Sequence, residues 1–356
     1  MTIGVDAGCL GIRDDRLKAG VYYVALHLLR ELSKIDTKNK YILYSFNKIP
    51  KETMQQFSSE WENRVLSSKG WLYSSLPLEF IKQKPDVFLA LSQAMPWYHP
   101  FTTIGFIHGL DFLPEFHAKR NKKLKKNSEY LIQHADQLIT TSQFLKESLN
   151  KQYHKTNVVA SWLGVDPVFF KNIKPYKMDT PYFLFVGTLK PSKNIPAILK
   201  AFSIFLKKTK RNYKFLFIGS DFWMDKNITN TINALNLSQH VTCIPSIEST
   251  LLPKYYKGAV AFVSPSLYEG FGLPFVEAMA AGSPIIGSDV GGIPEVVEDA
   301  GLLFNPTDVT SIADAMSLID QNKDLRNKLI TKGKKRAKEF SWEKFSRNVF
   351  NTIHNI

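Results

Sequence analysis

The chain has 356 residues, 44% hydrophobic and 22% charged, with a formal net charge of +14. That length exceeds one comfortable core and suits two domains of roughly 150–200 residues each. The composition excludes a disordered chain, two distant cysteines exclude a disulfide scaffold or cysteine metal cluster, and no apolar run reaches the roughly 18–20 residues of a membrane span.

In chain order, MTIGVDAG reads as a core strand running into a turn, with no basic or apolar leader pattern. With Cys9 and Cys243 as the only cysteines, a reducing cytoplasm is the expected compartment, and any membrane contact would be peripheral, at the inner face. A loop then leads through Gly20 into the helix VYYVALHLLREL. Strands YILYSF, DVFLAL and TTIGFIH follow, the last ending at His108 with Asp111 just beyond.

Next comes the densest charge cluster, AKRNKKLKKN, with Lys119, Arg120, Lys122, Lys123, Lys125 and Lys126. It reads either as a solvated helix face or as a contact with anionic lipid headgroups, worth on the order of 1 kcal/mol per basic residue. Nucleic acid is not expected, because zinc spacing, an RNA-binding aromatic signature and a basic zipper are all missing. Strand DQLITTS, helix SQFLKESLNKQY and strand NVVASWL complete the first half.

A polar stretch with three prolines, DPVFFKNIKPYKMDTPYF, marks the boundary. The second half alternates in the same way, with strands YFLFVGT, YKFLFIGS, HVTCIPS, AVAFVSPS, SPIIGSD and GLLFNP. Its helices are IPAILKAFSIFLKKT, LPFVEAMAA and VTSIADAMSLIDQ. Such alternation predicts α/β domains with parallel sheets covered on both faces. The expected division is 1–170, 171–340 and a closing helix over 341–356, capped by Ser341, that packs back on the first domain.

Within SPSLYEGFGLPFVEAMAAGSPIIGSD, Gly270 and Gly272 allow a sharp turn, Pro274 suits a first helical turn and Gly282 suits the stop. Exposed N–H groups and the helix dipole at that turn favour an anion. Glu269 and Glu277 flank it. As one helix they would stand about 12 Å apart, which fits a glycosidase acid–base pair poorly. Carboxylates that accept hydrogen bonds from sugar hydroxyls suit the spacing better, and the whole describes a nucleotide-sugar site.

The stretch from Ser264 to Pro306, together with VGTLKPSKNIPAIL, resembles the signature region of the retaining glycosyltransferases of family 4. Those enzymes have the GT-B fold, two Rossmann-like doubly wound domains facing a central cleft. Glu269 and Glu277 occupy the positions of the family's Glu-x7-Glu motif. The resemblance covers most of the second domain and extends more weakly over the first.

The resemblance implies that Glu269 sits by the donor sugar and Glu277 binds the ribose hydroxyls. Backbone N–H groups of Phe271, Gly272 and Leu273 would meet the hexose and diphosphate, and Lys193 the diphosphate. Many members carry Arg at the positions of Thr188 or Ser192, and Lys190 is the candidate substitute. His108 matches a histidine that contacts the donor sugar from the first domain. Gly109 stands where an Asp commonly follows it, with Asp111 two residues later on the acceptor side. Gly20 fits the N-terminal acceptor loop, in which Tyr22 replaces a second Gly and is expected to crowd backbone approach to a ligand.

The expected function is a metal-independent retaining transfer of a hexose, with mannose favoured. The donor is a GDP- or UDP-linked sugar and the acceptor a hydroxyl of a lipid-linked or growing oligosaccharide or polysaccharide. No cofactor is expected, since the chain has no Asp-x-Asp pair to hold a divalent cation. The alternatives are a nucleotide-sugar or polysaccharide-binding module without transfer activity and a nucleotide-sugar epimerase of similar architecture.

Overall fold

The computed structural model describes residues 1–14, 18, 20–110, 112, 122–219 and 226–356. The chain forms two compact units, one of Met1–Gly164 with Ser341–Ile356 and the other of Val165–Phe340. The sequence places the boundary at 170/171; the units change at 164/165 and again at 340/341.

In the first unit the strands are β1 (Thr2–Asp6), β2 (Lys40–Ser45), β3 (Glu62–Val65), β4 (Val87–Ala90), β5 (Thr102–Ile107), β6 (Gln137–Thr140) and β7 (Val158–Ala160). They form one sheet in the order β3-β2-β1-β4-β5-β6-β7, parallel at every pairing. The closing helix Trp342–His354 packs on the Gly20–Ile35 helix. Trp342 stacks on His27 at 4.7 Å, and Ser346 Oγ donates to Leu28 O at 3.4 Å.

The second unit contains β8 (Tyr182–Val186), β9 (Lys214–Ile218), β10 (Val241–Ile244), β11 (Phe262–Ser264), β12 (Ile285–Ser288) and β13 (Gly301–Phe304), in the parallel order β10-β9-β8-β11-β12-β13. Its core is aromatic: Phe183 meets Phe205 edge-on at 5.1 Å, and Phe215 stacks on Phe217 at 4.6 Å. The Ile195–Thr209 helix contributes Phe202 and Phe205 to this core, and the Val309–Gln321 helix contributes Ile312 and Met316. Strands such as YFLFV are apolar on both faces because helices cover both sides of a parallel sheet.

Counted from its own first strand, each sheet begins with the order of a doubly wound nucleotide-binding fold. The strand order therefore reverses between β1 and β4 in one unit and between β8 and β11 in the other. Ligands of open α/β sheets bind outside the strands' carboxyl ends at that reversal. β3 was not expected from sequence. Glu62, Asn63 and Arg64 are polar and only Val65 is apolar, which an edge position permits; Asn63 Nδ2 donates to Leu43 O at 2.9 Å and Ser45 Oγ at 2.8 Å.

Candidate functional site

The second unit's strand reversal places two loops side by side. One follows β8 and contains Lys190 and Lys193; the other follows β11 and contains Glu269 and the Gly270–Gly272 turn. A backbone bond from Leu267 N to Ser192 O, 2.8 Å, ties them together. The second loop enters the Leu273–Ala281 helix through Gly272, whose φ of +89° is left-handed backbone that favours glycine. Pro274 lies in the first turn and Gly282 closes the helix at φ +83°. Pro274 has no N–H and Phe275 N donates to Gly272 O at 2.9 Å, while the positive end of the helix dipole lies at this turn.

Lys193 and Glu269 form an ion pair between Nζ and Oε1, each side chain only 14% exposed. Ser266 Oγ donates to the same Oε1 at 2.9 Å and lies 3.1 Å from Ser264 Oγ. Ser288 Oγ in turn donates to Ser266 O at 2.7 Å. The carboxylate is thus held from two sides by a cation and a buried hydroxyl. Its backbone is held as well: Gly292 N donates to Glu269 O at 2.9 Å.

Glu277 lies on the Leu273–Ala281 helix, half-buried, and accepts a hydrogen bond from Tyr256 Oη at 3.0 Å. Burial pushes its carboxyl up to about 7, with the charge of Asp166 adding to the rise and the Tyr256 hydroxyl opposing it. Near neutral pH this acid exists in both protonation states. Hydroxyl donors placed against it would favour the charged one.

The remaining expected site residues lie as follows. Phe271 buries its ring edge-on to Phe340 at 5.6 Å, so its side chain anchors the turn while its backbone stays at the helix mouth. Lys190 precedes the short Pro191–Lys193 turn, and Lys193 N donates to Lys190 O at 2.9 Å. The second unit thereby brings Lys190, Lys193, Glu269, Gly270, Phe271, Gly272 and Leu273 into two bonded loops, with Glu277 farther along the helix.

His108 and Gly20 belong to the first unit. His108 follows β5; its Nε2 is 2.7 Å from Leu91 O, so this nitrogen carries the proton. Burial lowers its pKa below the usual 6.5 and keeps the ring neutral, with Nδ1 as an acceptor. Gly20 opens its helix in open space: an added Cβ would meet no described heavy atom within 4 Å. The Tyr22 ring is buried, edge-on to Tyr23 at 5.3 Å, with Lys18 Nζ 4.9 Å from its centroid. Asp111 lies outside the described residues.

Three residues that sequence reasoning passed over complete the picture. Ser266 sits three residues before Glu269, and a Ser-x-x-Glu spacing was the available signal. Tyr256 reaches Glu277 from another helix, with no local signal. Gln93, a buried left-handed residue (φ +57°), accepts from His108 N at 2.9 Å and donates to Gly109 O at 2.9 Å and Ser128 Oγ at 3.0 Å, holding the His108 loop in place.

Known proteins resemble this chain in sequence and in fold. Residues 169–336 match the family described as Glycosyl transferases group 1, which spans nearly all of the second unit. The O-antigen chain mannosyltransferase B of Escherichia coli is 28% identical over 287 residues, covering 77% of this chain and 74% of that protein. Among solved structures, sucrose-phosphate synthase of Thermosynechococcus elongatus superposes with a TM-score of 0.78 at 19% identity, covering 100% of this chain and 98% of that one. The Anabaena protein HepE in complex with UDP-glucose does so with a TM-score of 0.77 at 14% identity, covering 100% and 99%. The fold is GT-B, two Rossmann-like units with parallel sheets. Together the family match and the relatives support a glycosyltransferase.

Proposed function

We propose, from a second unit that matches the group 1 glycosyl transferases, that this chain is a retaining, metal-independent hexosyltransferase. Its donor is a nucleoside-diphosphate sugar and its acceptor a hydroxyl of a lipid-linked or growing oligosaccharide or polysaccharide. The observation that carries the reading is the meeting of Lys193 and Glu269 beside the Gly272 helix entrance, at the reversal of the second sheet. An ammonium and a helix start with its dipole lie on neighbouring bonded loops there, and a departing diphosphate needs such groups.

In this reading Lys193 leaves Glu269 for the diphosphate, aided by the N–H groups of Phe271, Gly272 and Leu273 and by Lys190. Glu269 then takes hydroxyls of the hexose, and Glu277 takes those of the ribose. The bond from the anomeric carbon to the phosphate oxygen breaks, and the acceptor oxygen bonds the same face of that carbon. Its proton passes to the departing phosphate oxygen. The protein's part is orientation and charge stabilisation. His108 Nδ1 accepts from a sugar hydroxyl, with Gly20 and Asp111 on the acceptor side.

Mannose as the hexose rests on the mannosyltransferase relatives, O-antigen chain mannosyltransferase B and RfbU. The proposed location is cytoplasmic and peripheral at the inner face of the membrane; no helix among the described residues is long and apolar enough to cross one. A thermal-shift panel of UDP, GDP and ADP with their sugars identifies the donor by the largest stabilisation. Incubating that donor with acceptor and assigning the product's anomeric configuration then tests retention. Affinity without nucleotide release would identify a binding module instead, and an isomerised donor without acceptor an epimerase.

A further inference from the structure

Arg336, on the Lys323–Ala337 helix of the second unit, is buried. Its Nε donates to Val296 O at 3.2 Å and its Nη2 to Glu295 O at 2.7 Å, near the carboxyl end of the Ile293–Val297 helix. The last carbonyls of a helix lack intrahelical partners, and here the guanidinium takes two of them. Nη1 pairs with Glu339 and Nη2 with Glu298, the latter at 2.9 Å. The fork is thus engaged by protein acceptors, two of them charged, and fixes structure. Glu298 has φ +48°, a backbone that favours glycine, and such strain persists where the surroundings over-determine it. The guanidinium also lies 4.9 Å from the centre of the Phe340 ring, and buried Phe340 meets Phe271 edge-on at 5.6 Å. On the other side, Val296 N donates to Gly292 O at 3.1 Å and Gly292 N to Glu269 O at 2.9 Å.

We propose that Arg336 and Phe340 are positioning residues for the Gly270–Gly272 turn. The arginine supports Phe271 through the Phe340 ring and supports Glu269 through the Ile293–Val297 helix and its leading Gly292. A turn with glycine on either side of one residue has wide backbone freedom, so its placement depends on how that one side chain is held. Phe271 is that side chain, and a ring contact backed by a cation fixes it in direction as well as in depth. Neither Arg336 nor Phe340 meets the donor; each acts through a neighbour. The inference rests on the donor-site reading above, in which this turn and Glu269 meet the nucleoside-diphosphate sugar.

The test is calorimetric titration of the full chain with UDP and GDP, for the parent, Phe340→Leu, Phe271→Leu and their double variant, with the urea midpoint of each. For the nucleotide that the parent binds, each single variant should weaken Kd about five-fold. The double variant should match Phe271→Leu to within about two-fold, since both changes remove one ring contact. Arg336→Lys keeps the charge and loses the fork, so it loosens both routes and should weaken Kd at least as much as Phe340→Leu. Met316→Ala, in the aromatic core of the same unit, is the control: it should lower the urea midpoint and leave Kd at the parent's value. The inference is overturned if either Phe340→Leu or Arg336→Lys binds like the parent, if the losses in Phe340→Leu and Phe271→Leu add in full, or if Met316→Ala weakens binding equally. Lys193→Met separates this failure from failure of the donor-site reading. Lost binding in Lys193→Met beside parent-like Phe340→Leu overturns the inference alone. Parent-like binding in Lys193→Met, or no binding of either nucleotide by the parent, overturns both.

Discussion

Lys193 and Glu269, 76 residues apart in sequence, are salt-bridged where the loops after β8 and β11 meet, and Ser266 Oγ donates to the same carboxylate oxygen. The pair holds a cation in readiness but also occupies it. In the proposed reaction the donor's diphosphate would therefore compete with Glu269 for Lys193. The two partners should behave differently when removed. Glu269→Gln keeps the shape and frees the ammonium, so nucleoside-diphosphate affinity should rise several-fold while turnover falls about 10²–10³-fold. Lys193→Met removes the cation and leaves a half-buried acid unpaired. It should weaken nucleotide binding and lower stability by about 1–3 kcal/mol. Calorimetric titration with UDP and GDP on both variants decides; equal losses of affinity would mean that the pair is only structural.

Glu277 supplies a pH dependence. Folded, it holds its proton up to about pH 7, whereas the unfolded chain releases it near the ordinary 4.5. Across that window the folded state binds more protons than the unfolded one, so stability falls as pH rises and levels off above 7. The contribution lost is about 3 kcal/mol. Urea unfolding at a series of pH values should show this slope in the parent and its absence in Glu277→Gln, which should be the more stable protein above pH 7. If the acid holds ribose hydroxyls, nucleotide affinity should run the opposite way and strengthen through pH 7, because the charged carboxylate is the better acceptor.

His108 is neutral, with Nε2–H committed to Leu91 O. Its lowered pKa means the unfolded chain takes a proton near 6.5 that the folded chain refuses. Stability should accordingly fall as pH drops below that value. If the ring takes part in the proposed transfer by stabilising the transition state, His108→Ala should cut kcat about 10²-fold with little change in donor KM. Gln93→Leu, which removes the support of His108 N and Gly109 O, should reproduce part of that loss. An unchanged kcat in His108→Ala removes the ring from the mechanism.

Much of this was legible in advance because the signals are local. Apolar runs marked the inner strands β9, β8, β11 and β12, since a parallel strand covered on both faces has little choice but continuous hydrophobicity. Gly272, Pro274 and Gly282 marked the helix ends by backbone geometry alone. What stayed hidden depends on distant partners. β3 carries little apolar signal, which an edge position permits. Tyr256 reaches Glu277 across two helices, and the Lys193–Glu269 pair needs both loops folded.

Gly291 offers a test of how tightly the site is built. It lies beside Glu269 with φ +65°, and a Cβ there would come within 2.4 Å of Glu269 O. That carbonyl already accepts from Gly292 N, so it cannot move aside without losing the bond. Gly291→Ala combines strained left-handed backbone with a backbone clash and should cost about 1–3 kcal/mol. The displaced Glu269 would draw away from Lys193 and Ser266, so turnover should fall further than the loss of folded protein accounts for. Gly20→Ala is the comparison, since its Cβ would enter open space at the start of a helix, and its stability should be unchanged or slightly higher. Urea midpoints together with turnover per folded molecule separate the two effects: parent-like turnover in folded Gly291→Ala would show that Glu269 tolerates the shift and that the exact placement of this carboxylate does not limit the reaction.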